Sequence, residues 1–213
     1  MSDISKTKRG RPRDPERMKR VIETASQQFL EQGYDRASME AVALASGVSK
    51  MTLYNYFPSK DALFEACVAC RTDTIFADFL SHRLDPALPI EALALIARQF
   101  LALMRADDVL SIHRILFGLA GTHPEVCERF YKAGPQRINA LVQGYLAAAR
   151  QAGSLHIDDI GMAADQFIAL QLGRPHLQAM LGLGIPAGEE DERLIRENVA
   201  LFLARYDSGQ DST

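Results

Sequence analysis

A chain of 213 residues that is 47% hydrophobic can bury a sizeable core in one large domain or two small ones, and needs no disulfide framework to fold. Three cysteines, an odd number, fit reduced thiols. The net charge of -3 conceals a dipole: residues 1–60 carry +4 and the remaining 153 carry -7, so the acidic total does not exclude a nucleic-acid partner for the front of the chain.

Residues 1–13 are polar, basic and broken by Gly10 and Pro12, which predicts a flexible arm. Within it Lys8-Arg9-Gly10-Arg11-Pro12-Arg13 resembles the core of an AT-hook, whose arginines enter an A/T-rich minor groove. The alternative is a solvated tail adding non-specific phosphate attraction, which the same residues favour slightly less, and both readings demand DNA. Asp14, an N-cap candidate, and Pro15 open a helix with an apolar stripe at Val21, Ile22, Ala25, Phe29 and Leu30, and Gly33 is expected to stop it.

Ser38 is placed to cap a short second helix to about Ser46, Gly47 to supply a turn, and residues 49–56 to form a third helix. Met39, Val42, Ala43, Val48 and Leu53 are spaced to pack inward. Lys50, Met51, Thr52, Tyr54, Asn55 and Tyr56 then face out. They offer a cation, hydroxyls, an amide and apolar contacts without a catalytic pair, a set suited to base edges and phosphates in a major groove wide enough for a helix. Pro58 and Ser59 begin a long fourth helix to about His82.

Beyond Pro86 and Pro89, helical periodicity covers about 90–105, 109–120, 124–152, 158–182 and 188–206, with no sustained alternation of period two. The fold class expected is all-α: a three-helix N-terminal DNA-binding domain over 14–57, a linking helix over 58–82, a helical effector-binding and dimerisation domain over 83–206, and a disordered tail over 207–213. Gly134-Pro135 and Gly173-Arg174-Pro175 predict kinks.

Phe29, Gly33-Tyr34, Ser38 and the run Gly47-Val-Ser-Lys-Met-Thr-Leu-Tyr-Asn-Tyr-Phe-Pro-Ser-Lys60 resemble the DNA-binding half of the TetR family of repressors. The resemblance implies that Ser38, Lys50, Met51, Thr52, Tyr54, Asn55 and Tyr56 serve the operator contact. Lys60 would meet the DNA backbone, and Met51 stands where many relatives have glycine. It implies a homodimer on a pseudo-palindromic operator of double-stranded DNA, released when a small apolar effector binds.

Leu116 to Pro135, with Gly153-Ser-Leu and Ala163-Ala-Asp-Gln166-Phe167, is similar to effector domains of the AcrR/AefR-like branch, which often govern efflux or membrane-stress genes. That similarity implies a helical cage lined by Phe100, Met104, His113, Phe117, Tyr131, Phe167 and Gln171. Taken one at a time, each of these side chains reads more readily as packed core. The apolar faces of the last two helices, with Met162, Phe167, Leu170, Leu177, Leu181, Leu194, Ile195, Val199 and Phe202, suit a four-helix contact between two copies, part of each stripe going to the chain's own core.

No metal or cofactor is expected. Cys67 and Cys70 lack further ligands, the histidines are scattered, and no GxSxG, GxGxxG or phosphate-binding loop is present. An enzyme in the C-terminal bundle therefore has no nucleophile and base to work with. A module that only dimerises or binds a protein partner stays open. The absence of any bilayer-length apolar run and of a signal-peptide stretch makes a cytoplasmic protein without membrane contact the expectation.

Overall fold

The computed structural model describes residues 15–81 and 84–206. The basic arm with Arg9, Arg11 and Arg13, the cap Asp14, His82 and the tail over 207–213 lie outside the described residues. Among the described residues there are ten α-helices and no strand: α1 (Pro15–Arg36), α2 (Met39–Ser46), α3 (Lys50–Tyr56), α4 (Lys60–Ser81), α5 (Pro89–Arg105), α6 (Asp107–Leu119), α7 (Pro124–Ala133), α8 (Pro135–Gln151), α9 (Ile160–Met180) and α10 (Gly188–Tyr206). The chain divides into two compact units at Leu63 and Phe64, inside α4. The division falls within the long fourth helix, whose first turn belongs to the first unit and the rest to the second.

In the first unit Val21, Ala25, Phe29 and Tyr34 of α1 are buried, with Met39, Val42 and Ala43 of α2 and Leu53 of α3. The Phe29 and Tyr34 rings stack at 5.8 Å. Gly33 does break α1, at φ 77°, but the helix resumes for one further turn to Arg36. That turn carries the Tyr34 ring inward beneath the start of α4, where its hydroxyl donates to Asp61.

In the second unit α5, α8, α9 and α10 enclose the main core, built from Leu93, Ile96, Leu146, Phe167, Ile195 and Phe202 among others. The single helix expected over 124–152 is two helices. Pro135 has no N–H to continue the ladder and disfavours helical geometry in the residue before it, so Gly134 sits at φ -118°, ψ -84° between α7 and α8. A side chain at Gly134 would come within 3.6 Å of Val68 and 3.7 Å of Thr72, so this break is also where α4 makes its close approach. Gly173 kinks α9 with φ 45°, and Pro175 leaves the Gln171 carbonyl without its helical partner. Arg114 of α6 satisfies the far end of α9, donating to the carbonyls of Ala179 at 2.7 Å and Met180 at 2.9 Å.

Candidate nucleic-acid interface and effector cavity

Two caps and a glycine set the angle between α2 and α3. The Ser38 hydroxyl accepts from the Ala41 N–H at 3.1 Å, and the Ser49 hydroxyl accepts from the Thr52 N–H at 3.1 Å while sharing a 2.8 Å hydrogen bond with the Thr52 hydroxyl. Between them Gly47 adopts φ 70°, ψ 28°, a left-handed conformation in which its N–H meets the end of α2. With only seven residues, α3 cannot persist by propensity, and the full burial of Leu53 is what anchors it.

That anchor turns the rest of α3 outward. Lys50, Met51 (75% exposed), Tyr54 and Asn55 are exposed, and Thr52 and Tyr56 are half-buried. Ser38 acts as a cap, which is how it serves this surface. The Lys50 ammonium pairs with Glu40 of α2 at 2.5 Å and lies 5.9 Å from the Tyr54 ring centroid. The hydrogen bond and the charge of each partner raise the lysine pKa and lower that of the glutamate. Lys50 must therefore leave Glu40 before it can reach a phosphate. Lys60, which the resemblance implies at the DNA backbone, makes contacts within the chain. Its ammonium donates to the carbonyls of Tyr34 at 2.9 Å and Asp35 at 3.2 Å and rests 4.4 Å from the Tyr34 ring centroid, fastening the end of α1 to the start of α4. Sequence reading missed Glu40 and the exposed Leu44 on α2. The acid was legible only with the turn in hand, since it is the fold that brings positions 40 and 50 together.

The second unit holds an apolar cavity of about 50 Å³ between α4, α5, α6, α7 and α8. Met104 and His113 of the expected cage line it, joined by Val68 and Thr72 of α4, Phe130 of α7 and Ile138 of α8. Phe100 packs beside this wall, against Leu103, Met104 and Val109. Phe117 and Tyr131 do not contribute: at 74% and 59% exposed they point to solvent, because α6 and α7 turn their other faces to the cavity. Phe167 and Gln171 are fully buried in the main core instead, where the Gln171 amide donates to the Phe167 carbonyl and its oxygen accepts from Asn198. The spacing of Val68 and Thr72, one turn apart on α4, was the signal available for that wall.

Three ion pairs surround the cavity and tie α4 to its neighbours: Arg71 with Asp108 of α6 at 2.9 Å, Glu65 with Arg129 of α7 at 2.9 Å, and Asp73 with Arg137 of α8 at 2.6 Å. At the wall, the His113 ring stands edge-on to Phe130 at 5.5 Å, and behind it to His176 at 6.3 Å, which does not line the cavity. Burial, with His176 adding to it, holds the His113 pKa down at about 4; burial, with Arg105 adding to it, lowers that of His176.

Of the residues expected at a dimer face, Phe167, Ile195, Val199 and Phe202 are buried in the chain's own core, and Leu170 and Leu194 are half-buried against it. Leu177 (59% exposed) and Leu181 remain outside, and Met162 and Leu201 (60% exposed) extend the apolar surface of α9 and α10. The stripes are split as helical geometry requires: one edge of each fills the core and the other stays available. Among the described residues no group of histidine, cysteine and acidic side chains could hold a metal ion, and no helix is long and apolar enough to cross a membrane.

Residues 21–67 match the family described as bacterial regulatory proteins, tetR family, and residues 91–208 match the C-terminal domain of AefR-like transcriptional repressors. Among solved structures, the flavonoid-responsive regulator FrrA is 35% identical, with a TM-score of 0.77 over 92% of this chain and 100% of its own. A TetR-family regulator from Mesorhizobium loti is 26% identical, with a TM-score of 0.79 over the same shares. The transcriptional activator FasR of Mycolicibacterium smegmatis is 39% identical over 64 residues, 30% of this chain and 29% of the activator. The chain spans only 23% to 35% of the length of the first curated relatives it matches.

Proposed function

Because the chain belongs to the TetR family of bacterial transcriptional regulators, with an AefR-like C-terminal domain, we propose that it is a homodimeric repressor released from a palindromic operator by a small, largely apolar effector. Its helix-turn-helix binds DNA, and the family is one of regulators, not enzymes. The observation that carries the proposal is α3: a short helix capped at Ser49, anchored by Leu53 and otherwise presenting Lys50, Met51, Tyr54 and Asn55 to solvent. A two-fold assembly places two such helices in successive major grooves when they lie roughly 34–36 Å apart, so the operator is an inverted repeat.

The apolar lining of the cavity supports the effector response, while its size favours a chain that must open to bind. A drug-sized ligand needs roughly 300–1,000 Å³, far beyond the 50 Å³ present. Binding therefore requires α4 to part from α6, α7 and α8. Two of the ion pairs that hold it, Glu65–Arg129 and Asp73–Arg137, are exposed and worth about 0.2–1 kcal/mol each, and Arg71–Asp108 is half-buried, so ligand burial has chiefly the last to offset. The same helix continues to Lys60, which fastens α1, so a displacement of α4 reaches the DNA-binding unit through the chain itself. A ligand that fits only the opened conformation shifts the population toward it. FrrA, by its description, responds to flavonoids, which supports a small-molecule response in a protein of this fold. Control of an efflux or stress operon follows the AefR-like similarity.

Selection of duplexes from a random pool by the full chain tests the DNA-binding part: an enriched inverted repeat is expected, and a pool that stays random rejects it. A second reading, a C-terminal half that only dimerises or binds a protein partner, draws on the same cavity, which its own side chains nearly fill. It gains if no ligand alters operator affinity.

A further inference from the structure

The cavity wall is apolar except for Arg71, Thr72 and His113. Two of these are already engaged. The Arg71 guanidinium is paired with the Asp108 carboxylate at 2.9 Å, although its Nε makes no aligned hydrogen bond, and the Thr72 hydroxyl donates to the Val68 carbonyl at 2.9 Å, keeping lone pairs free to accept. The Nδ1 atom of His113 is buried and has no hydrogen-bond partner among the described residues. A buried polar atom in that state destabilises the empty protein, and a ligand group that satisfies it recovers the loss.

We propose that His113 is the specificity-determining residue of the effector cavity, and that it selects ligands carrying a neutral hydroxyl, phenolic or alcoholic, on a compact apolar body. The inference rests on the reading of this cavity as the effector site. A hydroxyl donates to the unprotonated imidazole nitrogen and costs little to bury once paired. A carboxylate finds no cation to meet it. Arg71 is neutralised by Asp108, whose own charge repels a second anion, and the imidazole next to His176 is uncharged at neutral pH. Phe130, edge-on to the imidazole, leaves an aromatic wall beside the head group against which a flat ring packs.

Three probes of one shape separate the head group from the body: 2-naphthol, naphthalene and 2-naphthoate, titrated into the full chain by calorimetry or intrinsic fluorescence at pH 7.5. The expected order is 2-naphthol tightest, naphthalene about tenfold weaker, as one hydrogen bond dictates, and 2-naphthoate weakest. His113→Phe removes the advantage of naphthol over naphthalene, while His113→Gln, which keeps a hydrogen-bonding group, retains part of it. Thermal melts of both variants establish that they are folded. Equal binding of all three probes, tighter binding of the naphthoate, or an unchanged preference in His113→Phe overturns the role of His113 and leaves the cavity as an effector site. Failure of all three to bind the wild-type chain overturns the effector reading along with it.

Discussion

Replacing Gly47 by alanine isolates one physical quantity, because the substitution meets no steric obstacle. The residue adopts φ 70°, ψ 28°, and a Cβ added there would have nothing within 4 Å. The whole cost is the left-handed backbone, about 1–2 kcal/mol for a residue with a side chain, and less for Gly47→Asn because asparagine tolerates that region. An internal control of opposite sign exists in the other unit. Gly144 lies inside α8, is exposed, and would also leave an added methyl group in open space, so Gly144→Ala gains about 0.5–1 kcal/mol of helix propensity. Urea unfolding of the variants, monitored by circular dichroism, is expected to move the midpoint down for Gly47→Ala, less for Gly47→Asn, and up for Gly144→Ala. A protein stable by about 5–15 kcal/mol stays overwhelmingly folded after such losses, so any fall in operator affinity for Gly47→Ala reports a changed angle between α2 and α3 and not unfolding. A Gly47→Ala protein as stable as the parent, or an asparagine that costs more than alanine, refutes the reasoning.

At the DNA-facing surface, Lys50→Ala and Tyr54→Phe are expected to weaken operator binding in anisotropy titrations while the dimer persists in sedimentation; loss of the dimer argues against the assignment. Glu40→Gln frees the Lys50 ammonium and is expected to tighten binding to random duplex at low salt more than binding to the operator, narrowing their ratio. Arg129→Ala with Arg137→Ala removes two of the three contacts that hold α4 shut and is expected to tighten effector binding about fivefold, for about 1 kcal/mol less to break. Leu177→Glu with Leu201→Glu places charge on the exposed apolar edge of α9 and α10 and is expected to convert the dimer to monomer without unfolding it, since neither side chain is buried in the core. Stability is also expected to fall with pH between about 6.5 and 4.5. The folded chain holds His113 near 4, below the ordinary 6.5, so the unfolded chain binds the extra proton in that window and the stabilisation present above 6.5 drains away as pH drops toward 4. The full effect reaches up to about 3 kcal/mol. Arg71, Arg105 and His176 face the same cluster, and His176, also lowered, acts in the same direction. Melting curves of His113→Phe flatter than those of the parent across that window check the assignment, because the contribution of lowered carboxylates such as Glu128 and Glu192 is common to both proteins.

The elements were largely legible in the sequence because their determinants are local. Ser38, Gly47 and Ser49 mark helix ends through hydrogen bonds to residues three or four positions away, and those positions hold in the structure. Pro135 acts on the peptide just before it, which is why the interruption was placed correctly, although its consequence, two separate helices in place of a bent one, needed the packing against Val68. The faces of the long helices were not legible to the same degree. A stripe such as Phe167, Leu170, Leu177 and Leu181 states that a helix has an apolar side. It does not state whether the chain itself or a second copy covers that side, and the kink at Gly173 rotates the two ends of α9 onto different answers, core for Phe167 and solvent for Leu177. Pocket residues fail for the same reason in reverse. His113 was found because a histidine among apolar residues is conspicuous in sequence, whereas Val68 and Thr72 look like ordinary core residues until α4 is seen beside the break at Gly134. A binding cavity is therefore the feature least written in local sequence, since it is made where several helices fail to meet.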